Sequence, residues 1–228
     1  TSFTIKSQDD VAYVLEMPFL KNLTIEKSVS IPEALINKPS LEKLTIKVKL
    51  AKEIEIAKAV GNFSQIKELI VKDPFSSCKF NLDETAPFLF KNLSKLKKLT
   101  IHEVNNTVFE LLPNLENLYL TVFGLSKING KHNALNKLVI IQSNRIEDIH
   151  QFPNLEEFQL LDSSNVKKMV APLQLKKLKK VILSYYYISD DIKQFFSCIN
   201  LEYLSLTNTS TSFKRNDIVG IGKLENLK

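Results

Sequence analysis

Hydrophobic residues recur along this chain in a short pattern, L-x-x-L-x-L, with apolar side chains at positions 1, 4 and 6. Apolar residues two apart point to one face of a strand, so each copy predicts a short strand with one buried face. Phe3 and Ile5 match the end of a further copy. Ten copies are found, beginning at Leu20, Leu41, Ile66, Leu96, Leu115, Leu135, Leu155, Leu178, Leu201 and Leu224.

The copies follow one another at steps of 19 to 30 residues, a spacing typical of solenoids. One coil cannot bury its own leucines, so neighbouring coils must stack and their strands must align in a parallel sheet. No linker rich in glycine, serine or proline interrupts the repeat. We therefore predict one domain over residues 1–228, with ten to eleven coils and both ends inside a repeat.

The coil from Leu135 to Leu155, with Ile149 and the Phe152-Pro-Asn-Leu155 sequence, resembles the short class of leucine-rich repeat. This resemblance covers the whole chain. It implies an α/β solenoid with a curved parallel sheet on the concave side and short helices or extended segments on the convex side. The ninth position of the repeat lacks the usual asparagine, so we do not expect an asparagine ladder there.

Uneven coil lengths predict where helices form. The stretch 50–60 places Leu50, Ile54 and Ala57 on one face, and Gly61 follows as a stop signal. A second, shorter helix is predicted over 189–196, with Ile192, Phe195 and Phe196 turned inward. The coils between Leu96 and Leu155 are short, so we expect extended or single-turn connections in them.

The segment from Val181 to Leu204 resembles a different class, the cysteine-containing repeat of F-box leucine-rich-repeat proteins. The likeness rests on Ile188-Ser-Asp-Asp-Ile192, on Cys198 and on Leu201. It implies the substrate-receiving domain of an intracellular adaptor, in the cytoplasm or the nucleus. The alternative is the ectodomain of an extracellular receptor or a secreted effector. Five N-x-S/T sequons permit this alternative, at Asn22, Asn62, Asn92, Asn105 and Asn208.

Candidate catalytic chemistry is sparse. Cys78 and Cys198 lie several coils apart, too far for a disulfide, and we expect both to be buried thiols. The acidic pair Asp9-Asp10 precedes a predicted helix, where negative charge is favoured by the helix dipole. The three histidines lack the spacing of zinc ligands. We therefore predict no enzyme, no metal and no cofactor.

A formal charge of +6 raises the question of nucleic-acid binding. In the basic stretches around Leu96 and Leu178, however, both leucines occupy position 1 of a coil and belong to the core. Their lysine neighbours fill ordinary solvated positions, without interleaved aromatic residues. We do not expect nucleic-acid binding. No apolar run is long enough to span a membrane, so insertion is not expected either.

Positions 3, 5 and 7 of each repeat must face the hollow side of the sheet. Five neighbouring positions on this side are apolar or aromatic: Tyr119, Val139, Ile141, Leu161 and Ile182. Lys98, Lys137, Lys180 and Glu157 border them, and Tyr203 extends the apolar set. An apolar patch with a charged rim is typical of a protein-binding surface. We therefore predict a non-catalytic module that binds a protein on its concave face through the five apolar positions, Tyr203 and the three lysines, which select an acidic rim on the partner.

Overall fold

The computed structural model describes residues 1–26, 29–47, 54–72, 82–125, 129–142, 149–163, 175–185, 190–207 and 219–228. These residues form two compact units. The first contains residues 1–101 and 107–115, and the second contains residues 102–106 and 116–228. The expectation of a single domain stays a prediction.

The first unit is built on parallel strands that pair in chain order. These are β1 (Ser2–Ile5), β2 (Asn22–Ile25), β3 (Lys43–Ile46), β4 (Glu68–Val71) and the start of β5 (Lys98–Val104). The strands pair in the register of the repeat, so that Leu23 lies beside Phe3 on one side and Leu44 on the other. The helices are α1 (Asp10–Leu15), α2 (Glu33–Ile36), α3 (Ile54–Val60), α4 (Leu82–Leu89) and, apart from its first residue, α5 (Asn106–Leu111).

The second unit is also built on parallel strands that pair in chain order. Its parallel strands are β6 (Asn117–Leu125), β7 (Lys137–Ile141), β8 (Glu157–Ser163), β9 (Lys180–Tyr185) and β10 (Tyr203–Thr207). Leu138 lies beside Leu118 and Phe158, so the repeat again sets the register. Two 3₁₀ helices, Asp190–Ser197 and Ile221–Lys223, belong to the last coils.

Burial confirms the phase of the repeat. Positions 4 and 6 of β6 to β9 are at most 1% exposed, and they are Leu118, Leu120, Leu138, Ile140, Phe158, Leu160, Val181 and Leu183. The residues between them face the opposite side of the sheet. Equivalent positions of successive strands thus form the core of this unit. Each fully buried aliphatic side chain contributes about 1.5–3 kcal/mol to the free energy of folding.

The predicted helices form, with one correction. Ala57 and Val60 of α3 are fully buried, as are Phe195 and, nearly, Phe196 of the 3₁₀ helix; residues 50–53 and 189 lie outside the described residues. The expectation of extended or single-turn connections was wrong for the coil after Leu96, because that coil holds the six-residue helix α5. Val108 and Phe109 of this helix are buried, and an apolar pair at adjacent positions anchors it.

The frame of the last copy was also wrong. In the structure position 1 of this copy is Leu227, not Leu224. The backbone N–H of Lys228 donates to the Glu202 carbonyl at 3.0 Å, as that of Glu202 donates to Lys179 one coil earlier. In the sequence either leucine could be read as position 1, and only the hydrogen bond between coils shows that Leu227 is the correct one.

Amide side chains tie successive coils together at the turn before the strand. Asn154 donates to the Asn133 carbonyl at 2.8 Å, Asn200 to Lys176 at 2.7 Å and Asn226 to Ile199 at 2.9 Å. Each of these asparagines directly precedes position 1 of its coil. An asparagine ladder therefore exists before position 1 of these coils rather than at the ninth position. Its amides donate to backbone carbonyl groups in the turns, outside the strands.

Gly61 directly follows α3, and only a glycine fits there because another part of the backbone lies against it. A Cβ atom at this residue would lie 1.9 Å from the carbonyl oxygen of Phe88, whereas a Cβ atom at Gly222 would meet no heavy atom within 4 Å. We expect Gly61→Ala to lower the free energy of unfolding by at least about 2 kcal/mol through overpacking. Gly222→Ala, the control, should change it by less than about 0.5 kcal/mol. Urea denaturation measures both, and equal effects would contradict this account.

Candidate functional site

The candidate site is the side of the sheet opposite the core in the second unit. We call it the open face and define it by positions 3, 5 and 7 of β6 to β10. These fifteen positions are Asn117, Tyr119, Thr121, Lys137, Val139, Ile141, Glu157, Gln159, Leu161, Lys180, Ile182, Ser184, Tyr203, Ser205 and Thr207. They form three rows that cross the strands, one for each position of the repeat.

Most of the predicted apolar residues are accessible on this face. Ile141, Leu161 and Ile182 are half-buried, as is Tyr119, and Tyr203 is 48% exposed. Ile141 and Leu161 are direct neighbours in the register of β7 and β8. The structure therefore brings these side chains together on adjacent strands.

Val139 is a correction, because the sequence predicts it to stand free in the hollow and the structure buries it to 3% exposure. Its direction is as predicted, since Leu138 and Ile140 on either side of it are fully buried in the core. Its register partners are Tyr119 on one strand and Gln159 on the other. A short β-branched side chain between two longer ones is covered by them, so Val139 supports the open face rather than contacting solvent.

Lys137 and Lys180, the two predicted rim lysines in this unit, do not stand free. Both bind the carboxylate of Glu157 between them, Lys137 through Nζ to Oε2 at 2.9 Å and Lys180 through Nζ to Oε1 at 3.0 Å. The amide of Gln159 donates to the same carboxylate. The position-3 row thus carries two ammonium groups and one carboxylate, which leaves one positive charge. The sequence places Glu157 and the two lysines on the border of the apolar patch, but it does not show that both lysines bind the one carboxylate.

Each lysine also lies against an aromatic ring. Nζ of Lys137 is 5.7 Å from the ring centroid of Tyr119, and Nζ of Lys180 is 5.7 Å from that of Tyr203. Both distances lie within cation–π range. The two tyrosines and Glu157 therefore fix the ammonium groups in place, which lowers the entropy that a partner must remove on binding.

Lys98, the third predicted lysine, belongs to the first unit. In that unit one carboxylate again binds two lysines. Glu68 Oε1 lies 3.1 Å from Lys43 Nζ and 3.0 Å from Lys98 Nζ. A Lys–Glu–Lys triad on three neighbouring strands is thus a feature of position 3 in each unit. These pairs stabilise the coil stack across strands.

The pKa values follow from this geometry. Burial acts to raise the pKa of Glu157, but hydrogen bonds from Lys137, Lys180 and Gln159 outweigh it and hold the pKa below its usual range. Burial acts to lower the pKa of Lys137, and its hydrogen bond with Glu157 and the charge of that carboxylate raise the pKa above its usual value. Both groups are therefore charged at neutral pH.

Comparison with known proteins identifies the fold. No protein-family model and no curated protein matches the chain. Solved structures match, and those compared here are leucine-rich-repeat proteins. A chain of the mouse RP105/MD-1 complex is 18% identical, with a TM-score of 0.51, over 92% of this chain and 41% of that chain. The chain has the leucine-rich-repeat fold.

Two further leucine-rich-repeat structures are similar. One is a leucine-rich-repeat protein of Leptospira interrogans, 18% identical over 99% of this chain and 51% of that one, with a TM-score of 0.49. The other is a chain of the TLR13–ssRNA13 complex, 16% identical over 95% of this chain and 40% of that one, with a TM-score of 0.45. The chain thus spans about half or less of the length of the structures it matches.

Other side chains of this leucine-rich-repeat chain offer little chemistry. Cys198 is a buried thiol whose pKa is raised by burial to about 11, so it is protonated at neutral pH; Cys78 lies outside the described residues. Nδ1 of His102 lies 2.9 Å from Oγ1 of Thr121. Within the described ranges no cluster of three metal-ligating side chains is found. Nor does any helix there have the length and apolar character needed to cross a bilayer.

The shared carboxylate predicts a pH dependence. Because the pKa of Glu157 is lowered in the folded chain, its contribution to stability is present above the unfolded value of about 4.3 and is lost as pH falls through the folded value. We expect the melting temperature of Glu157→Gln to lie below that of the wild type at pH 7, and the difference to shrink between pH 5 and pH 3. Glu225→Gln, at an exposed position, is the control. A difference for Glu157→Gln that stays constant with pH would disprove the assignment.

Burial separates two residues that the sequence analysis treated alike. Val139→Ala should lower the free energy of unfolding by about 1–2 kcal/mol, because it removes two methyl groups from a buried site. Leu161→Ala should lower the free energy of unfolding by less, since the Leu161 side chain is only half-buried. Guanidinium denaturation compares the two variants. Equal losses would mean that the two side chains have the same environment.

Proposed function

We propose that this chain is a non-catalytic protein-interaction module and that the open face of its second unit binds the partner. The observation that carries the proposal is the apolar surface formed by Ile141, Leu161 and Ile182, which lies between Tyr119 and the exposed Tyr203. Tyrosine is enriched and charged residues are depleted at the centres of protein interfaces. This surface has both properties.

The fold itself does not require apolar residues at these positions. In the first unit position 7 is charged, and Lys47 Nζ binds Glu26 Oε1 there at 2.7 Å. In the second unit the same position holds Ile141 and Leu161. β-branched residues favour strands in general, but Leu161 is not β-branched. The difference between the units supports a binding role for the second one.

The charge distribution favours a protein partner over a nucleic acid. Lys67 pairs with Glu42 and Lys179 with Glu156, each at 3.1 Å, in addition to the two triads. Many lysines of the strands are thus compensated by a carboxylate of the neighbouring coil. A nucleic-acid surface instead needs uncompensated cations that replace counterions along the phosphate backbone.

Within this function we propose the substrate-receiving role of an intracellular adaptor, cytoplasmic or nuclear. The resemblance of the coil around Cys198 to F-box leucine-rich-repeat proteins supports it, and the Cys198 side chain is buried as a residue of that repeat would be. The alternative, an extracellular receptor or secreted effector, is supported by the exposure of Asn62 and Asn92, two sequon asparagines. Glycosidase digestion of the protein purified from its natural host distinguishes the two roles, because only the alternative predicts a mass shift from glycans on these asparagines.

The test of the proposed function uses a face variant, Leu161→Ser with Tyr203→Ser. We expect the wild-type chain to capture its partner from native extract and the face variant to retain less than one tenth of it, with a melting temperature close to that of the wild type. Phe19→Ser removes an apolar side chain that is 77% exposed in the first unit and serves as the matched control. Quantitative mass spectrometry measures retention. Equal capture by the face variant would refute the proposal.

A further inference from the structure

The geometry of the open face restricts the chemistry of what it binds. Its three rows lie two residues apart along the strands, which is about 6.6 Å at 3.3 Å per residue. An extended peptide has the same period, because its residues i, i+2 and i+4 point to one side and are also about 6.6 Å apart. A partner segment lying along β8 therefore places one side chain over each row.

The first row, at position 3, is suited to a carboxylate. Glu157 is the only acid among the fifteen positions of the open face, and it is shared by two ammonium groups held within 3.0 Å of it. Its side chain is 20% exposed, and that of Lys180 is 41% exposed. One positive charge is left over at a place that is partly shielded from water, where charge-assisted hydrogen bonds are strong.

The other end of β8 has the opposite charge. Asp162, directly after position 7, is exposed and has a φ of 50°. An acidic side chain of a partner is therefore favoured at position 3 and disfavoured beyond position 7. The charges fix which end of the segment carries the acid.

The second and third rows are suited to apolar side chains. The second row presents Ile182 beside Gln159, whose amide is turned toward Glu157. The third presents Ile141 and Leu161, which are neighbours in the sheet. The described side chains of these two rows carry no ionised group. An apolar side chain from the partner loses no hydrogen bond there and buries further apolar area.

From these three rows we propose that the open face binds an extended protein segment with one acidic residue and two apolar residues at two-residue steps, the carboxylate lying between Lys137 and Lys180. This inference rests on the proposed function. The segment lies along β8 and its carboxylate takes over hydrogen bonds that Glu157 now accepts. The apolar residues contact Ile182 and then Ile141 with Leu161.

The experiment selects from a displayed library of random heptapeptides on the whole chain. We expect enriched sequences to carry Asp or Glu two residues from an apolar residue, with a second apolar residue two further on. Lys137→Gln with Lys180→Gln should weaken the selected peptides at least tenfold in fluorescence anisotropy. Glu157→Gln should strengthen them several-fold, because it removes the competing carboxylate. Lys176→Gln with Lys177→Gln is the control, since both lysines are exposed in the same unit and lie off the face.

The outcomes separate this inference from the proposed function. If the enriched peptides lack the acid, or ignore the Lys137 and Lys180 changes, but are lost on the face variant, the inference is overturned and the interaction module stands. If the wild type enriches nothing beyond what the face variant enriches, the inference is overturned, and capture from native extract decides the proposed function independently. Melting curves of every variant verify that it is folded. The expected increase in peptide affinity of Glu157→Gln is opposite in sign to the loss expected for the lysine variant, so loss of stability cannot produce both results.

Discussion

Stacking of equivalent residues in successive coils is the constraint on which the rest of this structure depends. Leu118, Leu138 and Phe158 are neighbours because they occupy position 4 of three consecutive copies. No copy buries its leucines alone, so each coil is stable only in the register that places position 4 beside position 4. The alternation of strand side chains then determines every other residue that faces the core or solvent.

The same register turns single polar residues into ladders. Where neighbouring coils carry Lys, Glu and Lys at position 3, the carboxylate lies between two ammonium groups, as Glu68 and Glu157 show. Asn154, Asn200 and Asn226 each precede position 1, and each side-chain amide donates to a carbonyl of the coil before. These contacts join residues 20 to 30 apart in sequence, and they stabilise the stack at points where apolar burial is absent.

The sequence predicts the phase of the repeat well, because the period of two is local and strong, but phase alone does not determine how accessible a side chain on the open face is. Val139 faces the predicted side and is nevertheless covered, since its exposure depends on the lengths of Tyr119 and Gln159 in other coils. The sharing of Glu157 and the frame at Leu227 likewise depend on which residues become neighbours. Alignment of the copies by position places Lys137, Glu157 and Lys180 in one row, but it does not show that one carboxylate binds both ammonium groups.

Core residues and open-face residues occupy different positions of the repeat, and this determines which positions can evolve a function. Positions 1, 4 and 6 are fixed by the core, and a change there costs stability in two neighbouring coils. Positions 3, 5 and 7 are not required by the core, so they differ between the units: Glu26 and Lys47 at position 7 of the first, Ile141 and Leu161 at position 7 of the second. The stack does not account for residues that the fold leaves free and that are nevertheless apolar and partly exposed, and we attribute them to the proposed partner. In that proposal the lysines fixed by Glu157 and the tyrosines would orient the bound segment, because a charge at one end gives a direction that apolar contact alone does not give.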